Sequence, residues 1–425
     1  MKNLTEKVLY VWFGFIVFEA PLRYIFFNAG APFLVYLKDI LLIGIFVSFA
    51  LEATVTARMN KLMLASLTLV LYGVVVGLIN GLSPMQTAFG MKIVLTFFVG
   101  FMAVYTLGLK KEFFIGLYRL FVPLILFGLL LELLFDLPWI GFEYEAYGVI
   151  IPGSISWWTL DLPRLSGFGR VSYETAILLV CLSAMYLAAN VYGKSLLAGS
   201  WKILDRIFLF LSFIGIILTT AKSSIFAFLI LILFYYFLKK ATAATSRFNR
   251  VAGFVIKVLL VLVLLYGVIP PVLAVTSPKT VTGYLSSDDL IMAAISASYV
   301  ERMEIMWPDA YKLLSDGYMY FTGRGLGGIG ASQKYFEPEL YNAADNVYVY
   351  LLVDFGIIIL LMILGILFFK IISMKINDRK SVFFLTFALI FFSYGATLNV
   401  IESPTLMICL GFLLALWDRG DNGDS

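Results

Sequence analysis

Stretches of about 20 mostly apolar residues recur from end to end of this chain, and about 20 is the number an α-helix needs to cross the hydrocarbon core of a bilayer. Lipid offers no partner to a free backbone N–H or C=O, so such segments must satisfy their hydrogen bonds internally, as helices do. Twelve spans are expected, over residues 8–27, 33–51, 62–80, 90–109, 114–135, 172–192, 207–221, 223–238, 251–275, 346–370, 381–396 and 402–417. With 61% hydrophobic and 14% charged residues and a mean hydropathy of +0.96, the chain is excluded from the soluble class. The expected fold is all-α: one polytopic transmembrane bundle over residues 1–425.

The connectors between spans alternate in charge, and Lys and Arg mark the cytoplasmic side. Lys2 and Lys7, Arg58 and Lys61, Lys110 and Lys111, "KKATAATSRFNR" and "KIISMKINDRK" fall on one side, with both termini. The opposite connectors are poor in charge or acidic. Two of these are long: residues 136–171, and residues 276–345 between the ninth and tenth spans, where surface helices are expected. The net charge of +4 is thus a topology signal, with no nucleic-acid partner implied. No cleavage signal precedes the first span, which reads as a retained anchor.

The chain has no histidine, which removes imidazole as base, nucleophile or metal ligand. Cys181 and Cys409 both fall in expected spans, as small buried hydrophobes. No metal and no cofactor is expected.

Ionisable residues within spans are costly in lipid unless they face protein, water or a partner. Here they gather at one depth. Glu19 and Arg23 lie on one face of the first helix and Lys38 and Asp39 in the second; Glu132, Arg170 and Glu174, Lys222 and Glu402 sit at helix ends on the same side. Arg119 and Lys257 lie at the other side, where they would snorkel. Glu19 with Arg23, and Lys38 with Asp39, suit interhelical ion pairs that fix packing. The shared depth of the whole set suits a hydrated chamber open to the non-cytoplasmic side.

Both long connectors could cover that chamber. In the first, Trp157 and Trp158 suit either an interfacial aromatic belt or a surface on which sugars stack. In the second, Tyr299, Met303, Met306, Ala310 and Leu313 recur at helical spacing, as in an amphipathic helix along the membrane surface, with Pro308 breaking or kinking it. "GRGLGGIG" follows at residues 323–330. Its glycines have dinucleotide-turn spacing, but no βαβ unit surrounds them, so a nucleotide cradle is not indicated. A tight return of the chain fits, as does an anion held by the turn's amides together with Arg324.

The order "ERMEIMW", "GRGLGG", "DNVYVYLLVDFG", preceded by "PLRYIF", "YLKDILL", "RLSGFGR" and "TTAKSSIFAFLI", resembles the bacterial O-antigen polymerase and O-antigen ligase-like family. The resemblance implies a glycosyltransferase of the inner membrane, acting on the periplasmic face on glycans linked to undecaprenyl pyrophosphate, metal-independent and inverting. A chain-length regulator is a further expected partner. Position by position, it implies that Arg164 and Arg302 bind the pyrophosphate and that Asn346 is a site residue. Three departures favour a polymerase over a ligase: Asp345 stands where many relatives have His, Ala221-Lys222 where many have Ser-Arg, and Arg170-Val171 where Glu-Pro is common.

A departing pyrophosphate gathers negative charge, which fixed cations stabilise. Arg164, Lys222 and Arg302, joined by Arg170 or Arg324, are the candidates, with Arg23 and Lys38 further cations of the chamber. Asp345 is the first candidate to accept the proton of the attacking hydroxyl, with Glu174 and Glu402 beside it. A ligase using a lipid A core acceptor and a lipid-linked oligosaccharide flippase are the alternatives.

Overall fold

The computed structural model describes residues 2–56, 61–146, 149–159, 162–192, 201–243, 247–276, 298–314, 317–376 and 380–419. Among these, eight helices are long and apolar enough to cross a membrane, nine if one bent pair counts as a span. The first half of the chain forms α1 (Lys2–Val17), α2 (Glu19–Asn28), α3 (Leu37–Thr56), α4 (Lys61–Ile79), α5 (Pro84–Leu107) and α6 (Lys111–Leu134). After a loop come α7 (Ser172–Tyr192), α8 (Trp201–Leu218), α9 (Lys222–Ala243) and α10 (Arg247–Thr276). Short helices α11 (Trp307–Lys312), α12 (Met319–Thr322) and α13 (Ala331–Phe336) precede α14 (Val347–Ser373), α15 (Ser381–Gly395) and α16 (Pro404–Arg419). All twelve expected spans are helical. Helices α8, α15 and α16 occupy the seventh, eleventh and twelfth but do not meet the length and composition of a full span.

The first expected span is not one straight helix. It breaks at Phe18 into α1 and α2, bent by 82°. Pro21 accounts for the break: its ring occupies the place of the N–H that would bond to Val17 and crowds that carbonyl. The loop after α6 carries two small antiparallel hairpins, β1 (Glu143–Ala146) with β2 (Val149–Pro152), and β3 (Trp158–Thr159) with β4 (Leu162–Pro163). These are the described β-structure of an otherwise helical chain.

Burial separates the core helices from the periphery. Helices α7, α15 and α16 are buried almost throughout, whereas α3 and α4 expose most of their apolar side chains, as lipid-facing helices do. Without a hydrophobic drive between helices in lipid, close packing depends on small residues that let backbones meet. The α5–α16 crossing uses Gly100 and Gly411. A Cβ on Gly100 would strike the Ile408 carbonyl oxygen, and one on Gly411 the Phe97 carbonyl oxygen. Cys181 and Cys409 lie in this core, buried and unbridged.

At the end of α6 and α8 away from the long loops, Arg119 does more than snorkel. Its Nε and Nη2 donate to the two oxygens of the fully buried Asp205 at 3.0 and 2.9 Å. Gly100→Val should lower the melting temperature of the purified protein in detergent by several degrees, because a backbone carbonyl cannot step aside. Gly365→Ala, with open space around it, should leave it within a degree or two.

Candidate functional site

The loop that leads into α7 is pinned from below. Glu132, the last acid of α6, accepts hydrogen bonds from the backbone N–H groups of Ser166 (2.7 Å) and Gly167. Trp139 Nε1 donates to the Gly167 carbonyl at 3.0 Å. This fixes "RLSGFGR" and sets Arg164 over the Trp157 ring, 5.4 Å from its centroid, while Trp157 stacks on Tyr173 of α7. Arg164 Nε reaches the Thr219 carbonyl at 3.5 Å, and among the described residues Arg164 makes no ion pair. Burial lowers its pKa from the ordinary arginine value, yet a guanidinium so basic stays charged at neutral pH.

Lys222 opens α9 after a tight turn and lies within electrostatic reach of both Arg164 and Arg302. Three cations from separate parts of the chain therefore come close to one another, with Lys222 near both arginines. Arg302 begins a π-helical turn, Arg302–Met306, that runs into α11. The extra residue of the π-turn absorbs Pro308, so the expected break becomes a bulge and the helix continues. The buried face is accordingly displaced from the expected one to Met303, Trp307, Ala310 and Leu314, and it packs on α10 and α14.

Arg302 Nε and Nη2 donate to one oxygen of Asp345, at 3.2 and 2.9 Å. Asp345 and Ala344 hold left-handed backbone conformations, with φ of 44° and 60°, and Thr220, just before Lys222, has φ 51°. These are the three non-glycine residues with positive φ among those described, and all of them border the cation cluster. Such strain persists only where surrounding structure imposes it. Here Trp307 Nε1 grips the Ala344 carbonyl at 2.9 Å, and Asn342 Oδ1 accepts from the Ala344 N–H at 2.8 Å.

A second charged cluster centres on Glu19. Glu19 Oε1 accepts from Arg23 Nε and Nη2 at 3.0 and 2.7 Å and from Lys38 Nζ at 2.7 Å. The Glu19–Arg23 pair matches expectation. Lys38 does not pair with Asp39, because adjacent helical residues point about 100° apart; Asp39 pairs instead with Lys92 at 2.8 Å. Arg170 and Glu174 stand within electrostatic reach of this cluster, and Ser403 donates to Glu174 at 3.3 Å. Tyr173 lies within electrostatic reach of Glu174, Arg170, Asp345 and Glu402.

Two expected ligand residues have other work. Asn346, fully buried, caps α14: its Oδ1 accepts from the N–H groups of Tyr348 and Val349, and its Nδ2 donates to the Gly267 and Ala396 carbonyls. All four hydrogen-bonding positions of the amide are taken, so it has nothing to offer a ligand. Arg324 lies apart from the cation cluster, bonded to Glu337 at 2.6 Å and to the Gly328 carbonyl at 2.7 Å.

The glycine turn is an anion cradle, and its anion is the protein's own. The N–H groups of Gly327 and Gly328 point at the buried carboxylate of Asp354, at 3.5 and 3.1 Å. Only glycine fits: Gly325 has φ 101° and lies backbone to backbone with Gly77 of α4, and a Cβ on Gly90 of α5 would come within 2.9 Å of the Gly327 nitrogen. Asp354 is not among the expected site residues; an acid inside an apolar helix is the signal that could have found it, but its partner cannot be read from the sequence.

Glu402, in a short 3₁₀ turn before α16, accepts from the Ala331 N–H. Burial first, and Asp345 after it, push its pKa up to about 7, against the lowering effect of the Ala331 hydrogen bond.

The described elements are thus those of a multi-pass membrane protein with a cluster of charged residues beside its loops. Residues 207–364, from α8 into α14, match the family model described as O-Antigen ligase, which bears out the resemblance to O-antigen polymerase- and ligase-like proteins, membrane enzymes of glycosyl-transfer type. The matched stretch contains Lys222, Arg302, Asp345 and the glycine turn. No curated protein and no solved structure matches the chain.

Two outcomes follow. Asn346→Ala should cost about 1–2 kcal/mol for the lost cap and more for the carbonyls left bare, read as a lower melting temperature. Because the Glu402 pKa is raised, its contribution to stability is full below the ordinary glutamate pKa and declines as pH rises through about 7. Glu402→Gln should flatten the dependence of melting temperature on pH across that window, and an unchanged slope would show that Glu402 does not set it.

Proposed function

We propose that the protein polymerises lipid-linked oligosaccharide repeat units at the outer face of the bacterial cytoplasmic membrane. The observation that carries this reading is that Lys222 lies within electrostatic reach of both Arg164 and Arg302, with no ion-pair partner for Arg164 among the described residues. Three fixed cations suit a diphosphate, and an apolar bundle around them suits its isoprenoid chain. The termini and the Lys-rich connectors then lie on the cytoplasmic side, and the charged cluster beside the loops faces the periplasm.

In the transfer, a hydroxyl of the acceptor glycan attacks C1 of the donor sugar. The new glycosidic C1–O bond forms as the C1–O bond to the diphosphate breaks, and undecaprenyl diphosphate leaves with the electron pair. The hydroxyl proton passes to a carboxylate, and direct displacement inverts C1. Arg164, Lys222 and Arg302 stabilise the charge growing on the leaving group in the way a divalent metal does in other transferases. Asp345, fixed by Arg302, orients the hydroxyl. Glu402, with a pKa near 7, has the proton affinity of a general base at neutral pH, and Glu174 borders the acceptor side.

A ligase is the second reading, favoured by the description of the matching family model. Asp345 in place of the histidine common in ligases favours polymerisation. A flippase needs charges spread through the membrane depth, whereas these gather at one end. Purified protein given lipid-linked repeat units should lengthen them without a lipid A core acceptor. Arg164→Ala and Arg302→Ala should each lower the rate by about 10²-fold or more. Wild-type rates in both variants would remove the proposal, and strict dependence on lipid A core would convert it to the ligase.

A further inference from the structure

Arg302 and Asp345 come from segments more than forty positions apart, and they meet through a single carboxylate oxygen. We propose that Asn342 is a positioning residue for the transfer, fixing Asp345 against Arg302 so that one oxygen and one guanidinium nitrogen of the pair stay available to substrate. This rests on the reading above, in which Arg302 meets the diphosphate and Asp345 the attacking hydroxyl, and it names a residue that acts through them.

The pair itself is only half used. Arg302 spends Nε and Nη2 on Asp345 Oδ2, at 3.2 and 2.9 Å. Among the described residues Asp345 Oδ1 and Arg302 Nη1 have no hydrogen-bond partner, and the two side chains keep 30% and 18% of their exposure. Arg119 and Asp205 show the contrasting arrangement in the same molecule, where Nε and Nη2 take one carboxylate oxygen each. That two-pronged fit consumes both oxygens and suits a fastening. A one-oxygen fit leaves capacity over.

Backbone geometry holds the pair in that form. Ala344 and Asp345 sit in succession at φ of 60° and 44°, conformations that side chains disfavour and that persist only under outside restraint. Asn342 supplies it from a buried position. Its Oδ1 accepts from the Ala344 N–H at 2.8 Å, and its Nδ2 donates to the carbonyl of Met306 at 2.7 Å. Met306 is the last residue of the π-helical turn that Arg302 opens. One planar amide, with an acceptor and a donor on the same group, therefore ties the segment carrying Asp345 to the segment carrying Arg302.

The main chain of Asn342 is fixed as well. Its N–H donates to Gln333 Oε1 of α13 at 2.9 Å, and its carbonyl accepts from the Gly330 N–H at 3.0 Å. Gly330 is the end of the glycine turn, at φ 78°, where a Cβ would strike the Glu402 carboxylate. Asn342 is thus braced against the same turn that Glu402 caps through the Ala331 N–H. Trp307 Nε1, donating to the Ala344 carbonyl at 2.9 Å, is a second rung between the same two segments. The separation of Arg302 and Asp345 is set before any substrate arrives.

The test is kinetic, with lipid-linked repeat units extracted from cells that lack this protein. Asn342→Ala should lower kcat about tenfold or more and leave KM within about threefold, since a misplacement of about 1 Å can cost about 10²-fold. Groups that act as a unit are not additive, so adding Asn342→Ala to Asp345→Ala should cost less than about twofold further. A loss repeated in full on Asp345→Ala, as a merely structural role would give, would overturn the positioning role, and so would a wild-type kcat for Asn342→Ala. Wild-type kcat for Asp345→Ala would overturn it too, while leaving the test on Arg164 standing. Trp307→Phe removes the other rung and keeps most of the ring, and the same split is expected of it; if Asn342→Ala does not fold, that variant and its combination with Asp345→Ala decide the matter by the same criteria. No extension by wild type would overturn the polymerase reading and this role together.

Discussion

Charge inside an apolar bundle must be answered by other charge, by hydrogen bonds, or by a ligand, and the arrangement of this molecule follows from how each case is met. Arg119 is answered by Asp205, Lys92 by Asp39, and Arg23 by Glu19 and Tyr144. The first two pairs lock helices together, and the third holds α2 to the strand β1 of the loop. Arg164 has no such answer among the described residues, and Arg170 leaves a buried nitrogen bare. Both lie near the stacked Trp157–Tyr173 pair at the loop end of the bundle.

Holding cations together against their mutual repulsion takes a rigid frame, and the loops supply it. Glu132 ties down the segment that carries Arg164, the strained Thr220 turn presents Lys222, and Trp307 with Asn342 holds Ala344 and Asp345 in conformations that side chains disfavour. The glycine turn contributes in a different way. Its amides are spent on Asp354, which anchors the end of the long loop to the kinked α14, where Gly356 has φ 79°. A motif that looks like a ligand cradle is here a fastening between loop and helix.

Much of this was legible in the linear pattern. The helices, the gathering of charge at one depth, the Glu19–Arg23 pair and the trio of Arg164, Lys222 and Arg302 all follow from apolar periodicity, the cost of charge in lipid and the family resemblance. What escaped was partnership. Lys38 chose Glu19 over its neighbour Asp39, Asn346 became a cap, Arg324 turned to Glu337, and Asp205 and Asp354 took structural posts that no local spacing announces.

The chain by itself determined that it is a helical membrane protein with charge collected at one end, because hydrophobic run length and the penalty for ions in lipid are local properties that add along a sequence. Only the tertiary structure decided which cations stay unanswered and which carboxylate faces which arginine. Those choices depend on distances between residues hundreds of positions apart, and packing alone sets such distances.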